Sequence, residues 1–110
     1  MRTQRRGRVL LKDEPAGIVE ETEAGFRFTY DPGFVSSGQA VSVTLPLQLE
    51  PFESDRLFPF FEGLLPEGWY KAIVCRTLKI DEEDSFGLLI RACGDCVGAV
   101  SIEELPYETM

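Results

Sequence analysis

The sequence predicts a single α+β domain, in which a small antiparallel, meander-like twisted sheet carries two or three short helices. Three observations lead to this fold class. At 110 residues the chain has room for one modest core. Its first half contains short apolar runs bounded by turn residues, with apolar and polar positions alternating in the clearest of them. A stretch without breakers then begins at Trp69, so strands come first and helices follow.

Four strands are predicted in the first half of the chain and a fifth near its end. The turn between the first two is expected at residues 13–17, where Pro presets φ and Gly tolerates positive φ. Phe26, Phe28 and Tyr30 share one face of the third strand, which is therefore expected to be half-buried. Residues 48–55 are expected to form an acidic loop. The predicted strands are Arg8–Lys12, Ile18–Thr22, Phe26–Tyr30, Val41–Leu45 and Val97–Ile102.

Two helices are predicted in the second half, preceded by one or two helical turns. Pro66 suits the first position of a helix, where its missing N–H costs nothing, and Glu67 would complement the helix dipole there. Asp84 or Ser85 is expected to cap the second helix, and Gly94 to end it. The segments concerned are Phe58–Leu65 for the helical turns, and Trp69–Leu78 and Phe86–Ala92 for the helices.

The charge distribution bounds the possible partners. A formal net charge of −8 argues against direct binding of nucleic acid, which requires clustered Lys and Arg. Within the one domain, residues 1–7 are expected to form a loose basic arm and residues 103–110 a loose acidic tail. The sequence shows neither a secretory signal nor an apolar run that could span a membrane, so a cytoplasmic location is expected without membrane contact.

No pattern of catalytic residues is apparent. Histidine is absent, which removes the commonest general base and metal ligand, and no Gly-rich loop is followed by Lys-Ser/Thr. We therefore expect neither an enzyme nor a bound cofactor or metal. Cys75, Cys93 and Cys96 are an odd number of thiols, which indicates reduced cysteines. Cys93 and Cys96 form a C-x-x-C at a predicted helix C-terminus, whereas redox use favours a helix N-terminus and a closed zinc site needs four ligands. A small thiol or metal-binding protein that uses Cys75, Cys93 and Cys96 is therefore only the second alternative.

The segment Phe60–Trp69 combines aromatic and leucine residues with three Gly/Pro breakers, which is more than a core element needs. Such a composition is typical of a recognition loop that presents rigid apolar anchors. Trp69 borders a stripe that is formed at helical spacing by Tyr70, Ile73, Val74 and Thr77. Spacing alone leaves two interpretations open for Trp69: a binding anchor, or a side chain that covers the core from one side.

Several motifs together resemble the N-terminal subdomain of HipA-type kinases, the toxins of bacterial toxin–antitoxin modules. The resemblance covers nearly the whole chain. It is carried by Phe60–Gly68, Phe86–Leu89 and Gly94–Val100, together with Tyr30–Pro32 and Val43–Leu47. In that family a kinase core with a nucleotide-binding loop and catalytic and metal-binding Asp residues follows the subdomain, and these elements are not found here. The chain is thus similar to the stand-alone HipS antitoxins of three-component HipBST modules.

The resemblance implies an antitoxin that binds and neutralises a HipT-like serine/threonine kinase, in a complex that also contains a HipB-like DNA-binding protein. We expect the kinase to be contacted near its active site, with Trp69 as the anchor. The alternative within the family is a detached interface subdomain of a full-length HipA-type kinase, with no inhibitory role. The expected partner-binding residues are Gly63, Leu65, Pro66, Glu67, Gly68, Trp69 and Tyr70.

Overall fold

A computed structural model describes residues 5–92 and 99–105 of the chain. Five strands within these ranges form one antiparallel sheet with the order β4-β3-β2-β1-β5. The strands are β1 (Arg6–Leu11), β2 (Glu14–Thr22), β3 (Gly25–Tyr30), β4 (Phe52–Ser54) and β5 (Val100–Leu105). The predicted α+β fold class is confirmed, since consecutive strands β1, β2 and β3 pair as a meander.

Four helices lie in the described residues: α1 (Pro32–Val35), α2 (Pro59–Glu62), α3 (Gly68–Leu78) and α4 (Ser85–Ala92). Asp31 caps α1 by accepting a hydrogen bond from the backbone N–H of Gly33. Of the two residues predicted to cap α4, Asp84 is the cap, because its carboxylate accepts a hydrogen bond from the N–H of Gly87 at 3.1 Å. The predicted C-terminal stop at Gly94 lies outside the described residues. None of these four described helices could span a lipid bilayer.

The core lies between one face of the sheet and the elements that cover it. Alternate residues of β1 are buried, including Val9 and Leu11, as expected for a strand with one covered face. Phe28 is fully buried at the centre of an aromatic cluster, with ring centroids 4.8 Å from Tyr30, 5.5 Å from Phe61 and 6.3 Å from Phe52. Nearly all of α4 between its ends is also buried, so α4 and α2 form the second layer.

The opposite face of the sheet is polar and carries charged pairs across neighbouring strands. Arg8 of β1 lies directly opposite Glu103 of β5, and their side chains form an ion pair at 2.8 Å. Arg27 of β3 likewise lies opposite Glu53 of β4 at 3.5 Å. An exposed cross-strand pair of opposite charge contributes roughly a few tenths of a kcal/mol to the free energy of unfolding. Their main effect is to favour the observed register.

The predicted strand Val41–Leu45 is not a strand, and this expectation was wrong. Val41 and Leu45 are buried while Val43 is 96% exposed, whereas an extended strand would place all three on one face. The chain instead turns tightly, with the N–H of Leu45 bonded to the carbonyl of Ser42 at 3.1 Å. Tyr30 holds the turn: its hydroxyl accepts from the N–H of Val41 and donates to the carbonyl of Leu45. Burial raises the pKa of this Tyr30 phenol.

The fourth strand comes from residues 52–54, within the segment predicted to be an acidic loop. Phe52 lies opposite Phe28 in the sheet and stacks against its ring. An aromatic side chain in an otherwise polar segment thus brings the backbone to the free edge of β3. Pro51 precedes the strand, where its missing N–H removes no ladder hydrogen bond.

The first hairpin turn lies at Lys12–Asp13, and the prediction of a turn across residues 13–17 was wrong. Both residues have positive φ, 52° and 68°, as a two-residue type I′ turn requires. Pro15 and Gly17 instead lie inside β2. Opposite them, the register of the β1–β2 pairing shifts between Val9 and Leu10 of β1. This irregularity accommodates the proline within a strand. Gly17 is required there, since an added Cβ would lie 2.4 Å from the carbonyl oxygen of Thr29.

The described part of the expected basic arm is well ordered by contacts, which corrects that expectation. Residues 6 and 7 belong to β1. Arg5 donates two hydrogen bonds to Glu21 and two to Asp84, at 2.7–2.9 Å, and its guanidinium lies 5.5 Å from the ring centroid of Phe86. Gly87 leaves room for this arrangement, because an added Cβ would lie 2.3 Å from the Asp84 carboxylate. Arg5 therefore connects β2 to the start of α4.

The described part of the expected acidic tail is also structured. Residues 103–105 complete β5, which pairs with β1 through Arg6 and Leu105. The predicted last strand, Val97–Ile102, is confirmed from Val100 onward, and its first three positions include two that lie outside the described residues. The remaining residues of the predicted arm and tail, 1–4 and 106–110, lie outside them as well.

Glycine should stabilise the first hairpin turn. Replacing Lys12 by Asn and Asp13 by Gly supplies the residues that a type I′ turn favours, so we expect the free energy of unfolding to rise by about 1 kcal/mol. Denaturant unfolding measures this change. Ala24→Gly in the second hairpin is the control: its φ is not positive, so glycine there should give no gain. Equal gains from both variants would contradict the assignment.

Protonation of Asp84 should destabilise the domain in acid. Hydrogen bonds from Arg5 hold the pKa of Asp84 below its usual value of 3.8, against an opposing effect of burial, and the Gly87 N–H adds to the lowering. Because the folded-state pKa is the lower one, the contribution is complete above about pH 5 and is lost as the pH falls through that pKa. Unfolding free energies measured from pH 6 to pH 2 should therefore fall more steeply for the wild type than for Asp84→Asn, which retains a capping oxygen. Parallel profiles would contradict this assignment.

Candidate functional site

Helix α3 contributes less to the core than any other long element. All eleven residues of α3 are described, and Cys75 is the only one of them that is buried. The neighbouring helix α4 buries five of its eight residues. Most apolar side chains of α3 are therefore left partly or largely exposed, although an amphipathic helix normally turns its apolar face to the core. This makes α3 and the segment that leads into it the candidate functional site.

Gly68 sets the backbone conformation at the point where the preceding segment enters α3. Glu67 is the N-cap residue, with extended backbone and no side-chain capping bond, and the helix begins at Gly68. The prediction that Pro66 occupies the first helical position was therefore wrong by two residues. Gly68 has a φ of +61°, a conformation that favours glycine, and no atom lies within 4 Å of where its Cβ would be. Glycine is thus required by the backbone and not by close packing.

Trp69 is exposed and does not cover the core. Its side chain is 77% exposed, in the first turn of α3, and its ring makes an edge contact with Tyr70 at 6.3 Å between centroids. Of the two interpretations left open by the sequence, the lateral core residue is therefore wrong. Tyr70 is also largely exposed, at 57%. Two neighbouring aromatic side chains thus project from the start of a weakly packed helix.

A groove of about 630 Å³ runs beside these aromatic residues. Its lining combines the stripe predicted from helical spacing with residues that follow α2 and with the last two residues of α4. The lining is mostly apolar, and Arg91 is its one charged side chain. The lining residues are Gly63, Leu64, Pro66, Tyr70, Ile73, Val74, Thr77, Leu78, Arg91 and Ala92.

The structure separates the seven predicted site residues into three groups. Gly63, Pro66 and Tyr70 line the groove. Leu65 is half-buried and packs against the core, as do Phe60 and Leu64, so this part of the segment is scaffold. The group next to the groove, which consists of Glu67, Gly68 and Trp69, is exposed. Sequence reasoning missed Arg91 and Ala92, since only the packing of α4 brings them to the groove and no local pattern signals it.

The structure describes one of the three cysteines. Cys75 is a free, buried cysteine on the inner side of α3. Cys93 and Cys96, which carry the C-x-x-C pattern, lie outside the described residues. Within residues 5–92 and 99–105, no group of three or more His, Cys, Asp or Glu side chains is placed to hold a metal ion.

Two comparisons identify the same fold. Residues 7–103 match the family model described as the HipA N-terminal domain. A solved structure described as the N-terminal domain of HipA toxin superposes with a TM-score of 0.72 at 36% sequence identity, covering 93% of each chain. At this level of identity the likeness extends beyond fold to family.

Curated relatives differ in length. An uncharacterized protein of Haemophilus influenzae is 40% identical over 100 residues, which is 91% of this chain and 92% of the relative. A putative kinase, Y4mE of Sinorhizobium fredii, is 37% identical over 87 residues, or 77% of this chain. The matched region is about a fifth of that kinase, at 21% of its length.

The family model matches residues 7–103, and the solved domain superposes over 93% of this chain. This chain belongs to the HipA N-terminal domain family.

Proposed function

We propose that this protein is an antitoxin of the HipS type, which binds and neutralises a HipA- or HipT-type serine/threonine kinase by protein–protein contact. Its role is recognition and not catalysis. The binding residues lie in the segment from Gly63 to Tyr70, apart from the scaffold residues Leu64 and Leu65, and Trp69 is the anchor. The observation that carries the proposal is the 77% exposure of Trp69, which the fold itself does not use.

Because the Trp69 ring is exposed, its apolar area is available for burial in a partner. A fully exposed aromatic ring contributes little to folding, but burying it in a partner can yield about 2 kcal/mol or more. Tryptophan is also rigid, so little side-chain entropy is lost on binding. Gly68 fixes the direction in which the helix leaves the preceding segment, and thereby the direction in which Trp69 points. The anchor is thus presented by a preorganised backbone.

The relatives support a role beside a kinase. A similar domain forms about a fifth of the putative kinase Y4mE, whereas the Haemophilus protein is matched over nearly its full length. A domain that occurs both within a kinase chain and in a short protein is suited to dock on a kinase core. We propose obstruction near the kinase active site, inside a complex with a HipB-like DNA-binding protein. With a net charge of −8, any influence of this chain on DNA is indirect.

The second candidate is an interface subdomain of a full-length HipA-type kinase, without inhibitory activity. The occurrence of a similar domain as about a fifth of the putative kinase Y4mE favours it. The two candidates differ in the reading frame: an open frame that continues into a kinase core supports the subdomain, and a separate kinase gene supports the antitoxin.

Truncating the anchor should abolish neutralisation without unfolding the protein. For Trp69→Ala we expect a change in unfolding free energy within about 0.5 kcal/mol, because the side chain is exposed. Affinity for the kinase should fall roughly 30-fold or more, in line with the loss of a hot-spot residue. The measurements are growth of cells that co-express a HipA-type kinase, and direct binding to that kinase.

Leu49→Ala is the matched control for this prediction. Leu49 is a large apolar residue that is 62% exposed but does not belong to the segment or to the groove lining. It should neutralise like the wild type. A folded Trp69→Ala protein that neutralises fully would show that Trp69 is not the anchor.

A further inference from the structure

We propose that α3 is a separately opening unit, which undocks from α4 while the sheet and α4 stay folded. The boundaries of the unit are Gly68, where α3 begins, and Lys79, which is its C-cap. Undocking is a property of the free chain, so it does not require the proposed function. It would control how Trp69 is presented to any partner.

Helix α3 lies outside the hydrophobic core of the described residues. The core cluster contains side chains from the sheet, from α1, α2 and α4 and from the segments between them, but none from α3, and no side chain of α3 packs against it. Within residues 5–92 and 99–105, no α3 side chain forms an ion pair or a hydrogen bond. An element with so few contacts to lose can open without global unfolding.

Docking of α3 depends on a small contact with α4. Cys75 and Leu88 are the two buried apolar residues of the described chain that do not belong to the core cluster. Arg91 and Ala92, three and four residues after Leu88, line the groove together with α3, so this face of α4 is turned toward α3. We infer that Cys75 and Leu88 are covered by the same helix–helix contact, which undocking would break.

The groove leaves the rest of this contact loosely packed. Tyr70, Ile73 and Val74 of α3 line its volume of about 630 Å³, whereas side chains in a core are close-packed. Tyr70 and Ile73 are also 57% and 45% exposed. Because these apolar side chains are already partly in solvent, undocking exposes little further apolar area.

Both ends of α3 have a backbone conformation that breaks the helix. Gly68 and Lys79 have φ values of +61° and +59°. Just outside them the chain is held in place, because Leu65 packs against the core and Asp84 accepts hydrogen bonds from Arg5. The opening unit thus lies between two fixed points, and Gly68 and Lys79 are placed to absorb the backbone rotation.

Undocking would displace Trp69, which lies in the first turn of α3. A partner that requires Trp69 in its observed position would bind only the docked fraction, so its apparent affinity would fall in proportion to that fraction. A helix of eleven residues is marginal in water by itself, so undocked α3 would also lose its backbone hydrogen bonds. Thiol exposure and amide exchange therefore both measure undocking.

Cys75 is a native reporter of undocking, because it is buried while α3 is docked. The substitutions Cys93→Ser and Cys96→Ser leave it as the one native thiol, and Val19→Cys adds a second thiol at a fully buried position of the middle strand, β2. Both thiols are labelled in the same molecule with N-ethylmaleimide and quantified by mass spectrometry of peptides, and each rate is divided by that of the unfolded chain.

We expect Cys75 to react at least roughly tenfold faster than the thiol introduced at position 19. Up to about 1 M urea the rate at Cys75 should hardly change, because undocking exposes little area, whereas the rate at position 19 should rise steeply. Amide hydrogen exchange of the wild type measures the same opening, and the amides of α3 should exchange at least roughly tenfold faster than those of α4. Equal labelling of the two thiols, or equal protection of the two helices, would overturn the proposal.

Two adjacent leucines of α4 provide a matched pair of variants. Leu88→Val should raise the labelling rate of Cys75 roughly threefold, because the lost methylene group contacts α3 in the docked state alone. Leu89 belongs to the core cluster, so its contacts persist when α3 undocks, and Leu89→Val should leave the rate at Cys75 unchanged. A larger effect of Leu89→Val than of Leu88→Val would refute undocking from α4 as the cause of the exposure.

Discussion

The fold depends on covering one face of a small sheet with very few residues. Phe28 and Tyr30 of β3 are fully buried, and neither can be covered by β-structure, because the sheet has no second layer of strands among the described residues. The short helix α2 supplies Phe61, and the turn at 41–45 closes over the Tyr30 hydroxyl. Aromatic side chains bury a large area each, so a few well-placed rings suffice for a domain of this size.

Because other elements cover the sheet, most of helix α3 remains exposed. With α2, α4 and the 41–45 turn over the sheet, α3 anchors itself by Cys75 and leaves its aromatic and aliphatic side chains partly in solvent. A helix that is not needed for the core can carry a recognition surface at little cost in stability. The exposure of Trp69 and the apolar groove both follow from this arrangement.

The sequence was sufficient where the pattern was local and insufficient where it depended on long-range packing. The alternation in β3 and the cap at Asp84 were predicted correctly because each is encoded within a few residues. The segment 41–45 was misassigned because its backbone groups bond to the Tyr30 hydroxyl in a turn and do not pair with another strand. The hairpin turn was displaced because Pro and Gly are also used in a strand irregularity. At the site, exposure of Trp69 and the contribution of Arg91 depend on how α3 and α4 pack, which no single-sequence pattern contains.

The pairing of Arg6 with Leu105 brings the two ends of the described fold side by side on neighbouring strands. A domain with adjoining ends can be joined to another polypeptide, or separated from it, at a single point on its surface. Such a junction leaves the sheet order unaltered. Gene fusion and gene fission are therefore structurally inexpensive for this domain, and the range of relatives from short proteins to a putative kinase is what that geometry permits.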